Sequence, residues 1–130
     1  MSAEQNLQIV RDYLAGRGPE LLAEDATLHD WTQPEPIRGR EAIEAALYLY
    51  YEEAFSEASA TYRNWIASEA CVVLEFTFQG VNTGSLRGRP PTGKRVEVPM
   101  CAIYDLQNGI IRRLRLYYDS AQMPLLNQGV

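Results

Sequence analysis

Along the chain the spacing of apolar residues changes from a helical period to a strand period. In residues 3–15, Leu7, Val10 and Leu14 recur at helical spacing, and Ile9 and Tyr13 widen the stripe. Gly16, Gly18 and Pro19 stop that helix, and residues 20–23 read as one further short helical turn. In residues 25–31 the period falls to two: Ala26, Leu28 and Asp30 share one face of a short strand, with Thr27, His29 and Trp31 on the other. A loop containing Pro34 and Pro36 leads to Gly39, which opens the longest helical pattern. That helix is expected to run to about Phe55, with Ile43, Leu47, Tyr50 and Ala54 on one face. Residues 59–67, 70–80, 95–105 and 110–118 all read as strands, and Asn108-Gly109 marks a tight hairpin between the last two. In the second of these, Val72, Leu74, Phe76 and Phe78 face one way and Val73, Glu75, Thr77 and Gln79 the other. Residues 121–126 read as a closing helical turn.

Helices first and strands afterwards imply an α+β domain, 1–130, rather than a βαβ winding. The expected architecture is a curved antiparallel sheet wrapped around about three N-terminal helices. Gly80, Gly84 and Gly88 would supply bends. A sheet curved around one main helix leaves a cone-shaped space, and a small-molecule pocket is expected inside it.

Composition narrows the function classes. With 46% apolar and 22% charged residues in 130, the chain is an ordinary globular one. A net charge of −5 argues against nucleic acid as a partner. Arg112, Arg113 and Arg115 alternate with leucines as the outer face of a strand would, not as a phosphate track. No apolar run is long enough to span a membrane, and the N-terminus lacks the pattern of a signal peptide. Cys71 and Cys101 are too few for a disulfide scaffold, and a reducing cytoplasm is the expected location.

Two aspartates carry the candidate chemistry. A carboxylate is a useful base on a carbon acid when an apolar cavity raises its proton affinity. Asp30 lies between His29 and Trp31, and Asp119 follows Tyr117 and Tyr118. The plainer readings are a solvated turn residue for Asp30 and a helix cap for Asp119, with Gln122 completing a capping box. Glu75 would be a third acid only if it faced the interior. Tyr13, Trp31, Trp65 and Tyr117 are candidate pocket walls or hydrogen-bond donors, and Asn82 is either a pocket residue or a turn residue. The single His29 and scattered carboxylates give no metal-ligand spacing, and no glycine motif suits a nucleotide phosphate, so neither metal nor cofactor is expected.

The segment Asp25-Ala26-Thr27 through Gly39-Arg40-Glu41-Ala42-Ile43 resembles the strand-loop-helix unit of ketosteroid isomerases and SnoaL-like proteins. Phe78-Gln79-Gly80-Val81-Asn82-Thr83-Gly84, Pro91-Thr92-Gly93-Lys94-Arg95-Val96 and the ending Tyr117-Tyr118-Asp119 are similar to the SnoaL-like polyketide cyclase branch of the nuclear transport factor 2-like superfamily. The resemblance implies two site assignments. Asp30 falls where ketosteroid isomerases hold their general base, and Tyr13 where they hold an oxyanion-binding tyrosine. Their second donor, a protonated acid, falls near Cys101. Asp119 falls where SnoaL-like cyclases hold their acid/base, while Asn82 and Leu114-Arg115 stand where many of them carry histidine and a His-Trp pair.

The function so implied is a cofactor-independent acid/base enzyme acting on a hydrophobic, carbonyl-bearing small molecule, a cyclase or isomerase. In it Asp119 would be the principal acid/base and Asp30 the second carboxylate. Two alternatives stand beside it: a non-catalytic binding or dimerisation module, and an epoxide hydrolase of the same fold using Arg115 and Asp119. A homodimer through the outer sheet face, around Val73, Glu75 and Thr77, is also expected.

Overall fold

The computed structural model describes residues 1–123. Two α-helices, α1 (Ala3–Leu14) and α2 (Arg40–Tyr48), accompany six strands: β1 (Leu22–Asp30), β2 (Ile37–Arg38), β3 (Phe55–Ala67), β4 (Cys71–Asn82), β5 (Arg95–Gln107) and β6 (Ile110–Tyr118). The remaining helical pieces are 3-10 turns at Pro19–Leu21 and Ser120–Gln122 and a π-helical segment at Leu49–Ala54. Residues 124–126 of the expected closing turn lie outside the described residues. No helix among the described residues is long and apolar enough to cross a membrane.

Helix α1 starts on a capping box: the Gln5 amide donates to Ser2 Oγ at 3.1 Å, and the Ser2 amide donates to Gln5 Oε1 at 2.9 Å. Val10 is its fully buried apolar residue, and Asn6 Nδ2 donates to the Ser68 carbonyl at 3.0 Å, pinning the helix to the β3–β4 turn.

The sheet order is β2-β1-β6-β5-β4-β3, and β1 runs parallel to β6 while the other pairs are antiparallel. The sheet is therefore mixed, not antiparallel throughout. Alternation fixes which face a residue takes but not which strand it pairs with. Here α2 and the β3–β4–β5 meander together form the long crossover that a parallel pair requires. Register then places Asp30 opposite Leu116, Leu116 opposite Ala102, and Tyr118 opposite Met100. Ala26, Leu28, Leu74, Phe76, Phe78, Val98, Ala102, Tyr104 and Leu114 are all buried on the inner face. Outer-face positions include His29, Glu75, Ile103 and Arg115, so Glu75 is no interior acid; its carboxylate accepts from Asn64 on β3 at 3.0 Å.

The long helix expected to reach Phe55 breaks its α-geometry after Tyr48. Two neighbouring residues of an α-helix point about 100° apart, yet Tyr50 and Tyr51 both line the same cavity. The widened π turn reconciles the two, a use seen often at functional sites. Tyr50 stacks on Phe55 at 6.3 Å, and Tyr51 meets the face of Phe78 edge-on at 5.3 Å. Phe55 therefore belongs to β3, whose register shifts twice on its way to Ala67.

Asn82 is a structural hub and not a pocket residue. It is 1% exposed, its Nδ2 donates to the carbonyls of Ala54 (2.9 Å) and Gly84 (3.0 Å), and its Oδ1 accepts from the Thr92 amide at 2.6 Å. These bonds tie the end of the π segment to the β4–β5 loop. Gly84 belongs to the same junction, because any Cβ there would collide with the Glu53 carbonyl. At the other hairpin, Asn108 (φ 52°) and Gly109 (φ 79°) supply the left-handed pair that a two-residue turn needs. Asn82→Ala should lower stability by about 2 kcal/mol, since the Gly84 carbonyl and the Thr92 amide lose their side-chain partner and the Ala54 carbonyl loses one of its three donors. The midpoint of urea unfolding measures it.

Candidate active site

A cavity of about 480 Å³ lies between the inner sheet face and the helical elements, walled by aliphatic and aromatic side chains such as Leu28, Leu74, Phe76, Phe78 and Met100. Asp30, the last residue of β1, faces it and is only 7% exposed. A carboxylate in such a wall needs donors. Two come from the local turn: the Thr32 amide and the Thr32 hydroxyl both donate to Oδ1, at 2.9 and 2.6 Å. This is the Asx-type turn that Asp favours, and it also bends the chain out of the strand. The third comes from β6, where the Tyr118 hydroxyl donates to Oδ2 at 2.8 Å. Oδ1 is thus doubly bonded and Oδ2 singly, leaving Oδ2 a lone pair.

Around this carboxylate the tyrosines are held in their neutral form. Burial above all pushes the Tyr118 phenol up, and nearby Tyr50 and Asp30 add to the effect, so it remains a donor to Asp30. Burial likewise pushes Tyr50 up; Arg87 and Tyr118 approach its hydroxyl, but neither completes a hydrogen bond to it. The Arg87 guanidinium lies 5.4 Å above the Tyr50 ring.

The other expected site residues divide. Tyr13 lines the cavity beside Leu14. Asp119 does not: it is exposed, and its Oδ1 accepts from the Ala121 amide at 2.9 Å, capping the 3-10 turn. Trp31 is 50% exposed on the outer side, stacked on His29 at 3.6 Å and on Tyr117 at 5.8 Å. Trp65 packs beneath α1, with the Arg11 guanidinium 5.1 Å above its ring. Trp31, Trp65, Tyr117 and Asn82 are therefore not part of the cavity wall.

The model of the SnoaL-like polyketide cyclase family matches residues 10–128. The chain belongs to that family. Its fold is nuclear transport factor 2-like: a SnoaL-like protein from Jannaschia sp. CCS1 superposes with a TM-score of 0.83 at 22% identity, covering 98% of this chain and 95% of that one. TsrD from Streptomyces laurentii gives 0.79 at 19% identity with 98% of each chain covered. An LEH-like epoxide hydrolase from M. tuberculosis gives 0.71 at 17%, covering 95% and 90%. No curated protein matches the chain.

In this SnoaL-like cavity the wall residues that the sequence pattern did not single out are Tyr50, Tyr51, Tyr104 and Tyr118, with Thr32 behind the wall as the partner of Asp30. One signal was available: Tyr118 shares strand parity with Leu114 and Leu116, so an inward Leu114 implies an inward Tyr118 and an outward Tyr117.

Burial pushes Tyr13 and Tyr51 from 10.0 up to about 12, aided by the charges of Glu44 and Tyr62 respectively. Between those values the folded state keeps protons that the unfolded chain has released, so stability is intact below 10 and falls as pH rises towards 12. Urea midpoints should be lower at pH 11 than at pH 9, and replacing both tyrosines with Phe should flatten that decline.

Proposed function

We propose that this SnoaL-like protein is an acid/base enzyme that moves a proton on a hydrophobic, carbonyl-bearing small molecule held in a cone-shaped pocket, with Asp30 as the base. The observation that carries the proposal is the buried Asp30 carboxylate on an apolar cavity wall, fixed by Thr32 and Tyr118 with one lone pair of Oδ2 uncommitted. Glu44 also borders the cavity but is exposed to water.

In the proposed step Oδ2 takes the proton from a carbon next to the carbonyl, and the C–H electron pair becomes an enolate. In an aldol closure the enolate carbon attacks a second carbonyl of the same molecule, and the proton returns to the resulting alkoxide. In an isomerisation it returns to a different carbon. Either course balances without a cofactor. Tyr118 keeps Asp30 pointed at the cavity while the carboxylate gains and loses the proton.

An epoxide hydrolase would need an arginine between two carboxylates. The arrangement around Arg115 is the reverse, with one carboxylate, Asp105, accepting from Arg113 at 2.7 Å and from Arg115 at 2.9 Å. The proposal also includes a homodimer through the outer face, where Ile66 and Trp31 are exposed. A one-chain mass by light scattering at micromolar concentration would count against the dimer.

The substrate need not be known to test the base. 5-Nitrobenzisoxazole opens when any positioned base removes its ring proton: the C–H pair forms the nitrile and the N–O bond breaks to phenolate. The protein should accelerate this opening, and Asp30→Asn should slow it about 10²-fold or more. An unchanged rate in Asp30→Asn overturns the assignment, and a fall in Asp119→Asn instead would return the role to Asp119. No acceleration by the parent protein would favour the binding-module reading.

A further inference from the structure

The cavity has a second polar region. Four tyrosines from four separate elements border it: Tyr13 on α1, Tyr51 on the π segment, Tyr62 on β3 and Tyr104 on β5. Among the described residues, none of their hydroxyls has a hydrogen-bond partner. Tyr104 is 5% exposed, yet its hydroxyl is not sealed in protein like that of Tyr50, so it opens onto the cavity.

We infer that Tyr13, Tyr51 and Tyr104, with Tyr62 at the rim, form a hydrogen-bond-donating subsite for a neutral oxygen, a carbonyl, ether or hydroxyl, at the end of the ligand away from Asp30. The inference rests on the cavity being a ligand site, as proposed above.

Register separates the two regions. Asp30 pairs with Leu116 and Leu116 with Ala102, and Tyr104 is the next inward residue of β5 after Ala102. Two strand spacings and two residues of rise put the Asp30 and Tyr104 backbones about 12 Å apart. Tyr118, Met100, Phe76 and Tyr62 form one row across four strands, so Tyr118 and Tyr62 stand about 14 Å apart along it. Electrostatics groups the hydroxyls in the same way: Tyr104 feels Tyr51, Tyr62 and Tyr13, whereas Tyr118 feels Tyr50 and Asp30.

Charge selects the ligand atom. The tyrosines are neutral donors, since burial pushes Tyr13 and Tyr51 up to about 12 and Tyr104 further. Arg115 borders the cavity, but its side chain belongs to the outer face, where Asp105 accepts from it at 2.9 Å, and Arg40 near Tyr13 donates Nε to the Leu22 carbonyl. Glu44 lies beside Tyr13. A carboxylate or phosphate on the ligand would thus meet a negative neighbour in Glu44, while a neutral acceptor meets several idle donors.

9-Fluorenone and fluorene differ by one carbonyl oxygen and share a flat shape, so equilibrium binding of the pair reads the subsite without turnover. The parent protein should bind fluorenone roughly fivefold or more tightly than fluorene. The double variant Tyr51→Phe/Tyr104→Phe should abolish that preference while melting no lower than the parent, because the hydroxyls removed hold nothing in the fold. 9-Fluorenecarboxylate should bind no better than fluorene. Equal binding of fluorenone and fluorene to the parent overturns the inference. So does a preference that survives the double variant or that is lost in Tyr118→Phe instead, a lowered melting temperature in the double variant, or preferential binding of the carboxylate. Failure of the benzisoxazole test would remove Asp30 as the base and leave these binding outcomes readable on their own.

Discussion

A carboxylate survives in an apolar wall only where donors replace the water it has lost, and for Asp30 those donors arrive from opposite ends of the sequence. Thr32 is local, delivered by the turn that ends β1. Tyr118 is 88 residues away and reaches Asp30 only because β1 and β6 pair in parallel with Asp30 opposite Leu116. That pairing is the constraint on which the site depends. A one-residue slip would turn Tyr118 outward and bring Tyr117 in. Oδ2 would then lose its donor, and the stacked outer pair of Trp31 and Tyr117 would be broken.

The faces of the strands were legible because a period of two needs no partner: inward Ala26, Leu28 and Asp30 follow from β1 alone. The hairpin at Asn108-Gly109 was legible for the same reason, since left-handed backbone is a local demand. Strand order and direction were not, because they depend on which edge the returning chain meets. Nor was the π segment, because the pattern of Ile43, Leu47, Tyr50 and Ala54 continues through it as though the helix were regular. Asp30 was named for its aromatic neighbours and for a resemblance; it borders the cavity because it shares a face with Leu28, while His29 and Trp31 lie on the other side. Asp119 was named on a resemblance and its tyrosine neighbours, and Trp31, Trp65 and Tyr117 simply as aromatic residues, which the outer face and the caps use as readily as the cavity does. Asn82 was ambiguous because an amide that binds a ligand and one that binds three backbone groups look the same in sequence.

Family membership and fold agree with a pocket chemistry but do not select one, since the same fold is shared with an epoxide hydrolase. What differs here is the distribution of polar groups over the wall. One region holds a carboxylate that is bonded but not saturated; the other holds phenols with nothing to bond. The π segment contributes to both, Tyr50 to the first and Tyr51 to the second.

The central claim is that Asp30 presents Oδ2 to a molecule inside the cavity. A crystal structure with 5-nitrobenzisoxazole soaked into Asp30→Asn, which should bind but turn over slowly, tests it most directly. The account predicts the probe inside the cavity, its ring C–H aimed at the residue-30 side chain, with Tyr118 still within hydrogen-bond distance of that side chain. A probe seated elsewhere, or a residue-30 side chain turned away from the cavity, would contradict it.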